Sequence, residues 1–172
     1  MSTTPTKSPE VPRLLKTHGD LFDKHFFLDL DEQSAVLKAH QLIEMVVRDF
    51  CYGSVRHPDQ LRNLKLGFNQ IVGVARSFMF LATPGIENYW GMVLQLNQLR
   101  NLMAHELEPD QKKIDKHRSA LISASGQHTL NESLSWLCGA MSSLLYVSLE
   151  LHKYSLRPND GATPSEDPTN QQ

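Results

Sequence analysis

The chain lacks the residue patterns that announce the commonest kinds of chemistry. No GxxxxGK[ST] loop or GxGxxG turn is present to offer backbone N–H groups to a phosphate. Eight histidines are scattered without a CxxC or HxxxH pair to hold zinc. His105-Glu106 opens like a zinc protease helix, but Pro109 stands where the second histidine ligand belongs. A GxSxG elbow is missing as well. Metal-dependent and acyl-transfer chemistry are therefore disfavoured, and no cofactor is expected. The only two cysteines, Cys51 and Cys138, lie far apart beside apolar residues, which reads as two buried thiols rather than a disulfide. Charge is nearly balanced, with 17 basic against 19 acidic residues and a net charge of -2. That excludes a protein that coats nucleic acid through many phosphate contacts, though not one with a local basic site. Met1 to Glu10 is polar and contains proline, unlike a secretory leader, and no run approaches the ~20 apolar residues that cross a bilayer. The expectation is a cytoplasmic protein with no membrane partner.

What is present is one helical domain over residues 11–156, between tails at 1–10 and 157–172 that read as disordered. A short helix is expected from about Val11 to His25, with Leu14, Leu15, Leu21 and Phe22 as its apolar positions. From Asp31 to Tyr52 the residues Val36, Ile43, Val46, Val47 and Phe50 recur at helical spacing, with Ala39 filling the stripe. Asp29 or Asp31 can cap this helix and Gly53 can end it. A third helix is expected from Pro58-Asp59 through Phe78, and a fourth from Glu87 to about Glu108, limited by Pro109. Asp110 to Ala124 reads as a short amphipathic helix, on which Lys112, Lys113, Lys116 and Arg118 form a solvated face or a phosphate-contacting edge. Thr129-Leu130-Asn131-Glu132 is a capping box that starts a last helix running to about Tyr154. The fold class is all-α, a bundle of four main helices with short accessory ones.

The most informative stretch is Leu99-Arg100-Asn101-Leu102-Met103-Ala104-His105. On a regular helix Asn101 and His105 lie about 40° apart on one face, whereas Arg100 lies about 140° from His105. Arg100 and His105 converge only if the arginine wraps around the helix, the helix loosens near His105, or a second subunit completes the site. These residue types suit metal-free RNA cleavage. A histidine of near-neutral pKa moves the proton of a 2′-OH or of the leaving 5′-oxygen. A guanidinium stabilises charge on the phosphorane, and an asparagine orients phosphate. Spacing alone favours a structural arginine in an ion pair, with His105 favourably placed at the helix C-terminus.

This stretch resembles the R-polar-x3-H motif of the HEPN superfamily, in its "LRNxxAH" form. Ala39-His40-Gln41-Leu42-Ile43-Glu44-Met45-Val46-Val47 and Leu66-Gly67-Phe68-Asn69-Gln70-Ile71-Val72-Gly73-Val74-Ala75 resemble the first two core helices of its mannitol operon repressor-like branch. The resemblance spans roughly residues 30 to 150. It implies an up-and-down helical bundle that forms a homodimer with two motifs at the interface. It implies a metal-independent endoribonuclease or ribonuclease-like toxin acting on RNA, often in toxin–antitoxin or defence systems with an antitoxin partner. Arg100, Asn101 and His105 would then be catalytic, and Glu44 would face the motif helix, pairing with Arg100 or orienting the site. The repressor-like branch implies an alternative, a non-catalytic dimeric regulator. Some HEPN toxins carry a modifiable tyrosine two residues past the histidine; here that position is Leu107.

Overall fold

Asp31 begins the helix on which the others are arranged. Its side chain accepts the Ser34 N–H at 2.9 Å, and α2 (Glu32–Ser54) follows. The computed structural model describes residues 12–79, 84–105, 108 and 110–155, and of His105 only the backbone. Within them the chain is all-helical: α1 (Arg13–His25), α2, α3 (Pro58–Asn63), α4 (Phe68–Phe78), α5 (Ile86–His105), α6 (Gln111–Ser125) and α7 (Leu130–Ser155). The expected tails at 1–10 and 157–172, and Pro109, lie outside the described residues.

The core is one continuous apolar cluster around α2, whose Ala35, Val36, Ala39, Ile43, Val47 and Cys51 are fully buried. Alanines at two of these positions let α7 approach closely. The Cys138 thiol reaches the Ala39 carbonyl at 3.9 Å, and a Cβ on Gly53 would stand 3.0 Å from the Leu149 methyl carbons. These two contacts, in rising order on both helices, show α7 running in the same direction as α2. Helix α5 runs the opposite way, because His40 bonds Asn97 while Gln33 bonds the Met103 carbonyl. Helix α1 is also opposed to α2: its His25 lies level with Lys38, and its Leu14 level with Tyr52. The four helices α1, α2, α5 and α7 thus alternate in direction, with α3 and α4 in one connection and α6 in the other. Both cysteines are buried free thiols, and burial pushes each pKa up to about 12.

Three features differ from the sequence expectation. Gly53 does not end α2, which continues to Ser54; the glycine makes room for Leu149. The helix expected over residues 58–78 is two helices, α3 and α4, broken at 64–67. Lys65 takes a left-handed φ of 50°, the Gly67 N–H donates to Gln70 Oε1 at 2.9 Å, and Arg48 Nη2 donates to the Leu66 carbonyl at 2.8 Å. A backbone satisfied this way has no need to stay helical. Finally, α7 is long and apolar enough, by length and composition, to cross a membrane, which reading uninterrupted apolar runs overlooked. In this fold its Leu134, Leu137, Met141 and Leu145 are core residues.

The capping box at the start of α7 forms as expected. Glu132 N–H donates to Thr129 Oγ1 at 3.2 Å and Thr129 N–H to Glu132 Oε2 at 3.0 Å. Thr129 is exposed, so Thr129→Ala removes the cap without opening the core. The expected loss is about 1 kcal/mol, read as a lower urea midpoint with an unchanged denaturant slope.

Candidate functional site

One edge of α2 carries a polar residue at every fourth position, His40, Glu44 and Arg48. Such spacing drifts only about 40° per step, so the three form a strip beside the buried apolar face. Helix α5 meets that strip with Asn97, Arg100 and Asn101, which share a face at i, i+3 and i+4. Gly67 to Gln70, at the start of α4, close the third side. Together these residues line an open cleft of about 500 Å³.

The floor of the cleft is a hydrogen-bonded chain. His40 and Asn97 are only 4% and 5% exposed. His40 Nε2 donates to Asn97 Oδ1 at 3.0 Å, and Asn97 Nδ2 donates to Asn69 Oδ1 at 3.0 Å. An amide oxygen only accepts, so the proton of the neutral ring lies on Nε2 and Nδ1 keeps its lone pair. Nδ1 stands 3.9 Å from Glu44 Oε2, and Phe68 covers the ring with centroids 4.2 Å apart. Burial holds the His40 pKa below its ordinary value, opposed by the Asn97 bond and the Glu44 charge and assisted by the Arg100 charge.

Of the residues expected from sequence, Arg100, Asn101 and Glu44 line this one cleft. Arg100 Nη1 donates to Asn101 Oδ1 at 3.0 Å. Glu44 lines the cleft, and its Oε1 accepts from Arg48 Nε at 3.0 Å and Nη2 at 2.7 Å on its own helix. His105 is the last residue of α5, one turn beyond Asn101, and its side chain lies outside the described residues. The helix is regular through His105, so loosening of the backbone does not bring Arg100 and His105 together. Lys112, Lys113 and Lys116 are exposed on α6, while Arg118 pairs with Glu32 at 3.1 Å and Asp115 at 3.4 Å. Among the described residues no group of three His, Cys, Asp or Glu side chains is placed to hold a metal ion.

Sequence reasoning missed His40, Arg48, Asn69, Gln70 and Asn97 as site residues. The first two had a signal in their spacing with Glu44, and Asn97 had one in being an amide next to the apolar positions Leu96 and Leu99. Asn69 and Gln70 had none, because the chain there was read as mid-helix.

A second hydrogen-bonded chain, part-buried, joins other helices. Ser142 Oγ lies 3.2 Å from His18 Nδ1, and His18 Nε2 lies 3.0 Å from Asp49 Oδ2. The order is that of a hydrolase triad, but Ser142 is in the middle of α7, where backbone N–H groups bond within the helix and none is left to hold an oxyanion. The chain is a clamp that fastens α1 to α2 and α7. Comparison with protein-family models, curated proteins and solved structures finds no match to this chain.

The lowered pKa of His40 makes stability depend on pH with a definite sign. Above the ordinary value of 6.5 both states are neutral there, and the stability is fully present. As pH falls through and below 6.5, the unfolded chain takes up a proton that the folded ring resists, so stability declines. His117, lowered chiefly by burial, acts in the same direction. Urea midpoints measured from pH 7.5 to 5.5 should fall for the wild type and fall less steeply for His40→Gln. Equal slopes for both proteins would show that His40 carries no such linkage.

Proposed function

We propose that this chain is a HEPN-type, metal-independent endoribonuclease or ribonuclease-like toxin that acts on single-stranded or looped RNA in the cytoplasm. The reading is supported chiefly by one observation: Arg100 and Asn101 open together onto a polar cleft instead of anchoring the core. The alternating directions of α1, α2, α5 and α7 fit the up-and-down bundle that the resemblance implies.

In the reaction, a 2′-oxygen attacks the adjacent phosphorus while its proton passes to a general base. The 5′-oxygen then leaves with a proton from a general acid, giving a 2′,3′-cyclic phosphate and a 5′-hydroxyl. His105 is assigned the proton transfers. Arg100 stabilises the charge that builds on the phosphorane oxygens, and Asn101, its oxygen held by Arg100, presents its NH2 group to phosphate. Dependence on the 2′-OH selects RNA over DNA. Because Arg100 and His105 lie about 140° apart on a regular helix, the working site is composite, with His105 of one subunit serving Arg100 of the other in a homodimer. Control by a separately encoded antitoxin accords with this assignment.

The second reading is a non-catalytic dimeric regulator. It is favoured by the internal bonding of the cleft floor, where His40, Asn97 and Asn69 bond one another and Glu44 bonds Arg48.

Cleavage of single-stranded RNA in EDTA separates the two. The wild type should cut, and both His105→Ala and Arg100→Ala should lose about 10²-fold or more at unchanged circular dichroism. Intact RNA with the wild type, or undiminished cutting by both variants, would leave the regulator as the better reading. Light scattering at micromolar concentration should give a dimer; a monomer counts against the composite site.

A further inference from the structure

Four amide side chains border the cleft, and each has its carbonyl oxygen held by a donor from the protein itself. Gln70 Oε1 accepts from the Gly67 N–H at 2.9 Å, and Asn101 Oδ1 accepts from Arg100 at 3.0 Å. Asn69 Oδ1 accepts from Asn97 at 3.0 Å, and Asn97 Oδ1 from His40 at 3.0 Å. An amide whose oxygen is held against the protein directs its NH2 group the other way. Asn69 and Gln70 are exposed and Asn101 is half-exposed, and all three line the open cleft with their NH2 groups as the donors left to offer a ligand.

The charges agree with the donors. Among the described residues that line the cleft are the guanidiniums of Arg48 and Arg100 and the carboxylate of Glu44, whose Oε1 is bonded to Arg48. A lining of amide and guanidinium donors suits a ligand that brings several acceptor oxygens. It does not suit an ammonium or a neutral donor. The cleft, at about 500 Å³, holds far more than a lone phosphate and falls within the usual range for organic ligands.

We propose that Asn69, Gln70 and Asn101 form a phosphate subsite beside Arg100, filled by a backbone phosphodiester of single-stranded RNA. His40 and Asn97 touch no ligand; they hold the Asn69 amide in its donating orientation. The subsite takes its ligand class from the ribonuclease reading, but its occupancy does not depend on cleavage.

Calorimetry on the full chain tests it with two probes, a short 2′-O-methyl oligouridine, which cannot be cut through a 2′-OH, and inorganic phosphate. Asn69→Asp and Gln70→Glu are nearly isosteric. They keep the oxygens that accept from Asn97 and from Gly67, and a glutamate at position 70 preserves the start of α4. Each removes an NH2 donor and adds a negative charge. The 2′-O-methyl strand should bind the wild type and bind each variant at least about tenfold more weakly, with an unchanged or raised thermal midpoint. Affinity should fall as salt rises. Equal binding by wild type and variants, or no binding of either probe, overturns the proposal even if unmodified RNA is cut. Loss of strand binding in the variants supports it even if no RNA is cut, in which case the ribonuclease reading alone fails. Binding of inorganic phosphate alone, lost in both variants, supports the anion subsite and removes RNA as its occupant.

Discussion

A buried hydrogen bond between His40 and Asn97 determines how α5 lies on α2. Both residues are almost entirely out of solvent, and each would be left with an unmet polar group if the helices slid past one another by a turn. Such an orphan costs about 1–3 kcal/mol, comparable with burying a whole aliphatic side chain. The apolar contacts between the two helices are tolerant of small shifts, whereas this bond is not. It therefore sets the register in which Arg100 and Asn101 on α5 line one cleft with Glu44 and Arg48 on α2. The Gln33 bond to the Met103 carbonyl holds the same register at the end of α5.

The same bond has electrostatic consequences for the cleft. Donation through Nε2 fixes the His40 tautomer, and burial keeps the ring neutral. A neutral ring adds no charge of its own, and the charged side chains among the described residues that line the cleft are Arg48, Arg100 and Glu44. Asn97, once oriented by His40, passes its orientation to Asn69 on a third helix. One tautomer thus propagates across α2, α5 and α4 through two amides. A break anywhere along this chain would let Asn69 rotate without disturbing the apolar core beneath it.

Much of the fold was legible because its signals are local. Asp31 caps α2 and Thr129 with Glu132 caps α7 through contacts spanning three residues, which sequence spacing reports directly. The break between α3 and α4 was hidden because Leu61, Leu64, Phe68 and Ile71 keep helical spacing straight across it. What breaks the chain there is partly distant in sequence, the Arg48 bond to the Leu66 carbonyl, and partly a left-handed lysine that composition does not favour. Gly53 misled for a related reason: its function is to admit Leu149, a contact between helices rather than a helix end. Arg100, Asn101 and Glu44, which line the cleft, were singled out from a motif and a resemblance carried within single helices. Asn69, Gln70 and the pairing of His40 with Asn97 depend on which helices meet, and spacing along one helix does not report that.

Regularity of α5 bears on how many subunits an active site requires. Had the helix unwound between Arg100 and His105, one chain could have gathered both groups. It remains helical through His105, which leaves the two about 140° apart around the axis. An arginine is long enough to reach partly around a helix, and the Arg100 bond to Asn101 draws its guanidinium toward the face that Asn101 shares with His105. A second copy related by two-fold symmetry can, on the ribonuclease reading, bring its own His105 face to the Arg100 cleft while both helices stay intact. On the ribonuclease reading, dimerisation is therefore part of the chemistry. On the regulatory reading the same cleft is complete within one chain, and symmetry has no catalytic purpose.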